Sequence, residues 1–243
     1  MNRSIHFVLQ AKGGIGKSFI SALLAQFLTR DGTPPICFDI DQENTTFAHY
    51  AALKVEHLCL INADRVIEPR KFDQLMESLL SGTDNCVIDT GANTFSNFLA
   101  YLVEADAFDM LAEAGYTPVV HTIVGGADTL LDTANGFNSI MGMGKAPVVL
   151  WMNEHFGPLV SSEGKPFEET ALFTRHAPSL LGVVRLRSRT ASTYGDDVRK
   201  MTTSRLTFEE ILGSSSFTVM EKSRLKNIRT DVFDQLSAIP WQA

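Results

Sequence analysis

The sequence is poor in the features that mark membrane, secreted and disulfide-bonded proteins. None of its apolar runs approaches the roughly 18 residues of a membrane-spanning helix. Asn2 and Arg3 lead directly into a short apolar strand, not into a signal-peptide core. The three cysteines, Cys37, Cys59 and Cys86, are widely spaced and form neither a disulfide framework nor a Cys-x-x-Cys site. We therefore expect a cytoplasmic protein without a membrane span.

Positive charge is also scarce, but it is concentrated in one segment. The 243 residues include 21 Lys and Arg against 28 Asp and Glu, which gives a formal net charge of −7. This balance argues against a protein that coats nucleic acid by bulk charge. Residues 174–229 nevertheless hold eleven Lys and Arg against five Asp and Glu, which points to a partner surface. Its basic side chains include Arg185, Arg187, Arg189, Arg199, Lys200, Arg205, Lys222, Arg224, Lys226 and Arg229.

Short apolar runs rich in β-branched residues alternate with stretches of helical spacing. Runs that are apolar throughout are typical of strands buried on both faces, and their alternation with helices gives right-handed crossovers. The pattern predicts an α/β fold: a doubly wound, mostly parallel sheet with helices on both faces. The predicted strands cover residues 5–9, 35–39, 86–89, 118–124, 147–153 and 181–186.

Helical stripes complete this pattern in a single predicted domain, residues 1–243. No linker, repeat or low-complexity tract divides the chain, and from about residue 187 it is expected to be helical. The apolar face of the last helix can pack on the sheet or meet a membrane surface or partner; we favour packing on the sheet. The stripes are Ile20, Leu23, Leu24, Phe27 and Leu28; Leu130, Leu131 and Phe137; and Leu225, Ile228, Val232, Phe233, Leu236 and Ile239.

The first predicted strand runs into a glycine-rich loop that a helix follows at once. Strand, loop and helix in this order are the context that a phosphate-binding P-loop requires. Glycines let backbone N–H groups wrap around phosphate, and the helix N-terminus adds partial positive charge. Lys17 would neutralise the β- and γ-phosphates, and the Ser18 hydroxyl would bind Mg²⁺. The predicted nucleotide-binding residues of this loop are Gly13, Gly14, Ile15, Gly16, Lys17, Ser18 and Phe19.

Carboxylates follow two of the other predicted strands. Asp39 and Asp41 come at the end of the second strand, and Asp89 ends another. Ligands of open parallel sheets bind beyond the carboxyl ends of the strands, so these groups are expected near the loop. Ser18 with one or two of these carboxylates would suit Mg²⁺. The alternative is that strand-end aspartates only cap the next helix or turn.

The loop sequence Lys-Gly-Gly-x-Gly-Lys-Ser, residues 12–18, resembles the deviant Walker A signature of the MinD/ParA family of P-loop ATPases. The resemblance implies an ATP-sandwiched homodimer in which Lys12 reaches the phosphates of the other subunit. It also implies that Asp39 and Asp89 hold Mg²⁺ through water and that Asp41 positions the attacking water. Further segments, among them residues 36–41, 87–92, 149–153 and 205–208, resemble a family of plasmid conjugal-transfer proteins, and this resemblance extends along nearly the whole chain.

The chain departs from the MinD/ParA pattern in both switch segments. Residues 42–45, Gln-Glu-Asn-Thr, are one residue shorter than the usual switch I and carry an extra acid. Residues 90–93, Thr-Gly-Ala-Asn, lack the usual proline of switch II, although the Gly91 N–H remains suited to the γ-phosphate. Asn153 resembles the asparagine that reads the adenine edge in MinD, and a helix or turn cap is its alternative role. Trp151 is expected in the core.

These residues favour a Mg²⁺-dependent ATPase, slow and stimulated by its partners, that acts as a dimerising switch in plasmid conjugal transfer or partition. Its partners would be conjugation or partition proteins. The alternative is a small-molecule ligase or kinase of the dethiobiotin synthetase-like type. A nitrogenase-reductase-like electron carrier would need paired cysteines, which the chain does not offer. The basic segment could bind DNA weakly and without sequence preference, or could simply be a solvated surface.

Overall fold

The fold is organised around one parallel sheet. A computed structural model describes residues 3–30, 32–64, 66–82 and 84–241. Within them seven strands pair in the order β3-β2-β4-β1-β5-β6-β7, and every neighbouring pair is parallel. This confirms the predicted doubly wound α/β fold. The strands are β1 (Arg3–Val8), β2 (Ile36–Asp39), β3 (Glu56–His57), β4 (Cys86–Asp89), β5 (Tyr116–Gly125), β6 (Val148–Asn153) and β7 (Leu180–Leu186).

The strands agree with the predicted runs except at one edge of the sheet. The end of β1 is fully buried between β4 and β5, as expected for a strand that is apolar throughout. Strand β5 is longer than predicted at both ends. Edge strand β3 escaped prediction because both of its residues, Glu56 and His57, are polar and exposed, so no apolar pattern marks it.

Helices cover both faces of the sheet. One face packs against α1 and the C-terminal helices, and the opposite face packs against the helices between β3 and β7. The predicted stripe of α1 is buried apart from Leu28, which is only partly covered. The prediction that Leu131 faces the core is wrong, because its side chain is 72% exposed. The helices before β7 are α1 (Lys17–Thr29), α2 (Lys71–Ser81), α3 (Phe95–Glu104), α4 (Ala107–Glu113), α5 (Leu130–Met143) and α6 (Ala171–His176).

After β7 the described chain is helical. The helices are α7 (Asp196–Thr203), α8 (Phe208–Gly213) and α9 (Val219–Ser237). Capping boxes formed by a threonine and a glutamate three residues later begin both α8 and α9. Helix α9 packs Leu225, Ile228, Val232 and Leu236 into the core with Phe233 partly buried beside them, and Ile239 is buried just beyond the helix end. In the described part of the chain, no helix combines the length and the apolarity that crossing a membrane requires.

A chain of hydrogen-bonded polar side chains, buried at Trp151, His121 and His6 and half-buried at Ser4 and Asn85, crosses the central strands. The Trp151 indole donates to His121 Nδ1 at 2.9 Å, and His121 Nε2 lies 2.8 Å from His6 Nδ1. His6 Nε2 lies 2.9 Å from Ser4 Oγ, which donates to Asn85 Oδ1. Because an indole can only donate, His121 carries its proton on Nε2 and His6 carries its proton on Nε2. Every bond therefore runs in one direction, from Trp151 to Asn85.

His6 and His121, the two histidines in this chain of hydrogen bonds, are neutral at neutral pH. Burial lowers the pKa of His6 from 6.5 to about 4. Burial, and then the neighbouring His6, lower the pKa of His121 well below its usual value. Protonation of His6 would put two N–H donors against each other at the 2.8 Å contact with His121, and protonation of His121 would do the same at the 2.9 Å contact with Trp151. The hydrogen bonds and the burial thus favour the same protonation state.

Candidate functional site

The glycine-rich loop connects β1 to α1 in a backbone conformation that glycine permits. Gly14 has φ of 69° and Gly16 has φ of 103°, both in the left-handed region. Gly16 is also the N-cap of α1, so no side chain caps the helix, and no acidic residue lies in its first turn. The backbone donors and the positive end of the helix dipole are therefore open to an anion.

The loop is fastened to the protein on its inner side. Ile15 is fully buried, and its carbonyl oxygen accepts a 3.0 Å hydrogen bond from Asn153 Nδ2. Asn153 Oδ1 accepts from the His155 backbone N–H at 3.1 Å and so caps the turn after β6. The cap that the sequence left open for Asn153 is thus formed, and its contact with adenine stays a prediction. Phe19 packs partly buried against the core, and Gly13 is exposed on the loop.

The two loop lysines lie in different environments. Lys17 is 7% exposed, and its ammonium donates to the Lys12 carbonyl oxygen at 2.9 Å. Burial lowers the pKa of Lys17, while the carboxylates of Asp89 and Asp41 partly restore it. Two further ammonium hydrogens remain for an anionic ligand. The Lys12 ammonium is at the surface and pairs with Asp132 of α5.

The predicted carboxylates converge beside Lys17 but differ in their partners. Asp39 and Asp89 are opposite each other on β2 and β4 and are fully buried. Both oxygens of Asp39 accept backbone N–H groups, from Asp41 at 3.0 Å and from Ala48 at 2.9 Å. Asp41 Oδ1 accepts from the backbone N–H groups of residues 43 and 44, which forms a turn. The capping alternative therefore describes part of what Asp39 and Asp41 do.

Asp89 is the carboxylate best suited to hold a cation. Its Oδ1 accepts from the Ser21 hydroxyl at 2.8 Å, whereas no residue that the structure describes donates a hydrogen bond to its buried Oδ2. Burial raises the pKa of Asp89 to about 7. The nearby carboxylate of Asp39 raises this pKa further, whereas the hydroxyls of Ser18 and Ser21 and the charge of Lys17 lower it. Burial raises the pKa of Asp39 as well. An oxygen that is desolvated and unpaired is stabilised by a divalent cation or by its bound water.

The segment after β4, residues 90–93, packs closely against the carboxylates that follow β2 and β4. A Cβ on Gly91 would lie 2.6 Å from Asp41 Oδ1 and 2.6 Å from Asn93 Oδ1, so only glycine fits there. A Cβ on Gly13 would lie 3.8 Å from that of Ala92, which brings the glycine loop against the same segment. The loop, the end of β2 and the end of β4 therefore meet at one place, as the sequence predicted.

No group of three or more His, Cys, Asp and Glu side chains suited to a metal occurs among the residues that the structure describes. A magnesium ion at Ser18, Asp39 and Asp89 would complete its oxygen shell with water and phosphate, as Mg²⁺ commonly does. Next to Asn153, a cleft of about 410 Å³ opens at the ends of β6 and β7. Arg185 pairs there with Glu154 and Glu168.

Two residues of this site escaped the sequence analysis. Ser21 lies one helical turn beyond Lys17, and its position as a polar residue on the buried face of α1 is a signal that could have identified it. Asp132 is 120 residues from Lys12 in the chain, and nothing in the local sequence marks it as a partner. Trp151 is fully buried, as predicted.

Comparison with known proteins gives the same picture at the level of the fold. No family model matches the chain. It resembles MinD in a MinC:MinD cell division protein complex from Aquifex aeolicus, with a TM-score of 0.56, 12% identity and coverage of 98% of this chain and 97% of that chain. It also resembles a MinD cell division protein from the same organism, with a TM-score of 0.53, 13% identity and coverage of 98% and 99%. At such identities the likeness supports the fold alone.

Relatives at higher identity define the family. A protein TraL from Escherichia coli is 39% identical over 236 residues, 96% of this chain and 97% of that protein. A second protein TraL from Escherichia coli is 38% identical over 234 residues, 96% of each chain. This similarity extends over nearly the full length of both partners and agrees with the end-to-end resemblance in the sequence. The chain belongs to the TraL family.

Proposed function

We propose that the protein is a Mg²⁺-dependent ATPase that acts as a dimerising nucleotide switch in plasmid conjugal transfer or partition. Membership of the TraL family supports the setting, and the MinD-like fold supports a nucleotide-binding architecture. The observation that carries the proposal is local. Three features lie together at the carboxyl ends of the central strands β1 and β4. They are the uncapped start of α1, the buried ammonium of Lys17 and the unpaired Oδ2 of buried Asp89.

Phosphate and magnesium have separate places in the proposed site. The backbone of residues 13–19 and the Lys17 ammonium would bind the phosphates of ATP, because they supply donors and positive charge. Ser18, Asp39 and Asp89 would hold Mg²⁺, with Asp89 Oδ2 as the oxygen that gains most. The ion, when bound, neutralises charge on the phosphate oxygens. Asn153, already against the loop, would lie beside the base.

The other proposed roles belong to hydrolysis. Asp41 binds its own turn through Oδ1, and the described residues place no hydrogen-bond donor on its Oδ2. That oxygen would orient the attacking water toward the γ-phosphate. Lys12 would act on the nucleotide of a second copy, so hydrolysis would depend on dimer formation. A reaction that needs two subunits suits a switch that conjugation or partition proteins stimulate.

Binding of a fluorescent ATP analogue tests the nucleotide site. Lys17→Ala should weaken binding at least about 100-fold, since a buried charge-assisted contact with phosphate is lost. Lys165→Ala, at an exposed lysine far from the loop in sequence, is the matched control and should bind like the wild type. Equal affinity in wild type and Lys17→Ala would remove the P-loop assignment.

A phosphate-release assay separates the switch from the ligase or kinase alternative. Turnover of ATP to ADP and phosphate without an added acceptor supports the switch. If ADP formed only with a small acceptor, which either became ligated with release of phosphate or took up the phosphoryl group itself, the metabolic alternative would replace it. The same assay at increasing protein concentration reports whether turnover per subunit rises with dimer formation.

A further inference from the structure

Ser21 contacts the carboxylate that we assign to magnesium, although it lies outside the glycine-loop motif. Its side chain is fully buried on the face of α1 that packs against β4. The hydroxyl lies 2.8 Å from Asp89 Oδ1 and 3.1 Å from the Lys17 carbonyl oxygen. Since the hydroxyl has one proton, it can serve either acceptor, and the carboxylate is the nearer.

The carbonyl alone would satisfy Ser21. Serine and threonine inside helices commonly donate to the carbonyl four residues earlier, and Thr29 of the same helix does so with Ala25 at 2.8 Å. The contact with Asp89 is therefore not needed to satisfy the hydroxyl. Asp89 gains from the contact, because Ser21 holds its Oδ1 at 2.8 Å while Oδ2 has no hydrogen-bond partner among the described residues; the Ser18 hydroxyl also acts on this carboxyl.

We propose that Ser21 is a positioning residue for magnesium, which it serves by occupying Asp89 Oδ1 and so leaving Oδ2 as the oxygen that meets the ion. This inference rests on the proposed function. Residues behind metal ligands fix the ligand's orientation, and their loss typically weakens metal affinity 10- to 100-fold. A hydroxyl is a suitable partner here because it can donate to a carboxylate without adding a charge that would repel the metal.

The test is a magnesium titration of fluorescent ATP-analogue binding, with a parallel measurement of analogue affinity in EDTA. We expect Ser21→Ala to raise the half-saturating Mg²⁺ concentration about 10-fold and to leave the affinity in EDTA unchanged. Ser21→Cys, nearly equal in volume but a weak donor, should raise it as well, and it carries the test if Ser21→Ala fails to fold. Ser21→Thr, which keeps the hydroxyl, should restore the wild-type value. Thr29→Ala, which loses only a helix-internal bond, is the control.

The outcomes separate this inference from the proposed function. If the wild type bound the analogue without any dependence on Mg²⁺, the proposed function would fail, and this inference with it. If the wild type depended on Mg²⁺ and both Ser21→Ala and Ser21→Cys kept its half-saturation point, only the role of Ser21 would be overturned. Equal loss of affinity in EDTA and at saturating Mg²⁺ would also overturn it, because it would indicate a purely structural effect.

Discussion

The Lys12 ammonium lies 2.7 Å from Asp132 Oδ2 of its own chain, although the proposed target of Lys12 is the nucleotide of a second subunit. Both side chains are partly exposed, at 39% and 56%, so solvent weakens the pair. The neighbour of Asp132 in the chain, Leu131, is an exposed apolar residue. In the single subunit, Lys12 is thus held beside an exposed apolar part of the surface of α5.

We predict that this ion pair opposes dimer formation. Asp132→Ala should lower the protein concentration at which half the chains dimerise with a non-hydrolysable ATP analogue by about two- to five-fold, the range for an exposed ion pair. Lys12→Ala should bind nucleotide but fail to dimerise or hydrolyse. Sedimentation velocity measures both, and Asp128→Ala, another acid just before α5, is the control. An unchanged dimerisation midpoint for Asp132→Ala would show that the pair has no such effect.

Asp41 and Asp89 should fail in different ways when replaced. Asp41→Ala should slow phosphate release about 100-fold or more while binding persists, because only water activation is lost. The ATP-bound dimer should then accumulate. Asp89→Ala should instead raise the Mg²⁺ concentration needed for binding. If both variants kept the wild-type rate and the wild-type magnesium dependence, these aspartates would serve only as turn and helix caps.

Acid should destabilise the protein through its buried histidines. Below pH 6.5 an unfolded chain binds protons on both rings, whereas folded His6 resists protonation to about pH 4 and the pKa of folded His121 is also well below 6.5. The stability that the neutral rings contribute is complete above pH 6.5. It decreases as the pH falls toward 4, by about 1.4 kcal/mol per pH unit for each histidine.

Urea unfolding between pH 7.5 and 5 measures this slope. His6→Phe should be less stable at every pH, because Ser4 and His121 lose a partner. Below pH 6.5 its stability should nevertheless fall less steeply than that of the wild type, with a slope about 1.4 kcal/mol per pH unit smaller. His155→Gln, at an exposed histidine, should keep the wild-type slope. If the stability of His6→Phe and of the wild type changed with pH in parallel, His6 would not be a source of the acid destabilisation.

Binding of DNA, if it occurs, should be weak, independent of sequence and dependent on ATP. Most of the basic segment is neutralised within the chain: Arg185, Arg187, Arg189, Arg199, Lys200 and Arg224 all pair with carboxylates. In the described residues, no such pair forms at Arg205 or along the α9 stripe of Lys222, Lys226 and Arg229, so no carboxylate there neutralises their charge. Lys222 and Arg205 donate to the carbonyl oxygens of Leu212 and Thr202, which leaves their positive charge available to phosphate.

A gel shift at low salt with a non-hydrolysable ATP analogue measures this binding. Replacing Lys222, Lys226 and Arg229 together by alanine should weaken it more than replacing Arg199 and Lys200. Log affinity should fall with log salt by about 0.9 per phosphate neutralised. No shift by the wild type would leave protein partners as the target of this surface.

Contiguous patterns predicted the fold and the position of the glycine-rich loop between β1 and α1, because their physical causes are local. Strands buried on both faces are apolar throughout, and the loop glycines stand next to the lysine that they serve. Helical spacing placed Leu131 on a stripe but could not show how far the core covers α5. The pairs Ser21–Asp89 and Lys12–Asp132 join residues 68 and 120 positions apart, and only the folded topology brings such residues together.

The one-way chain of bonds from Trp151 to Asn85 has a consequence for the evolution of this family. His6 and His121 each use one ring nitrogen as donor and the other as acceptor, so replacing either residue leaves both of its neighbours without that partner. Single replacements along the chain should therefore be rare among relatives. Where a relative differs at one residue of this hydrogen-bond chain, it should also differ at the residues bonded to it on the neighbouring strands. We expect apolar side chains to replace the whole group of polar side chains together.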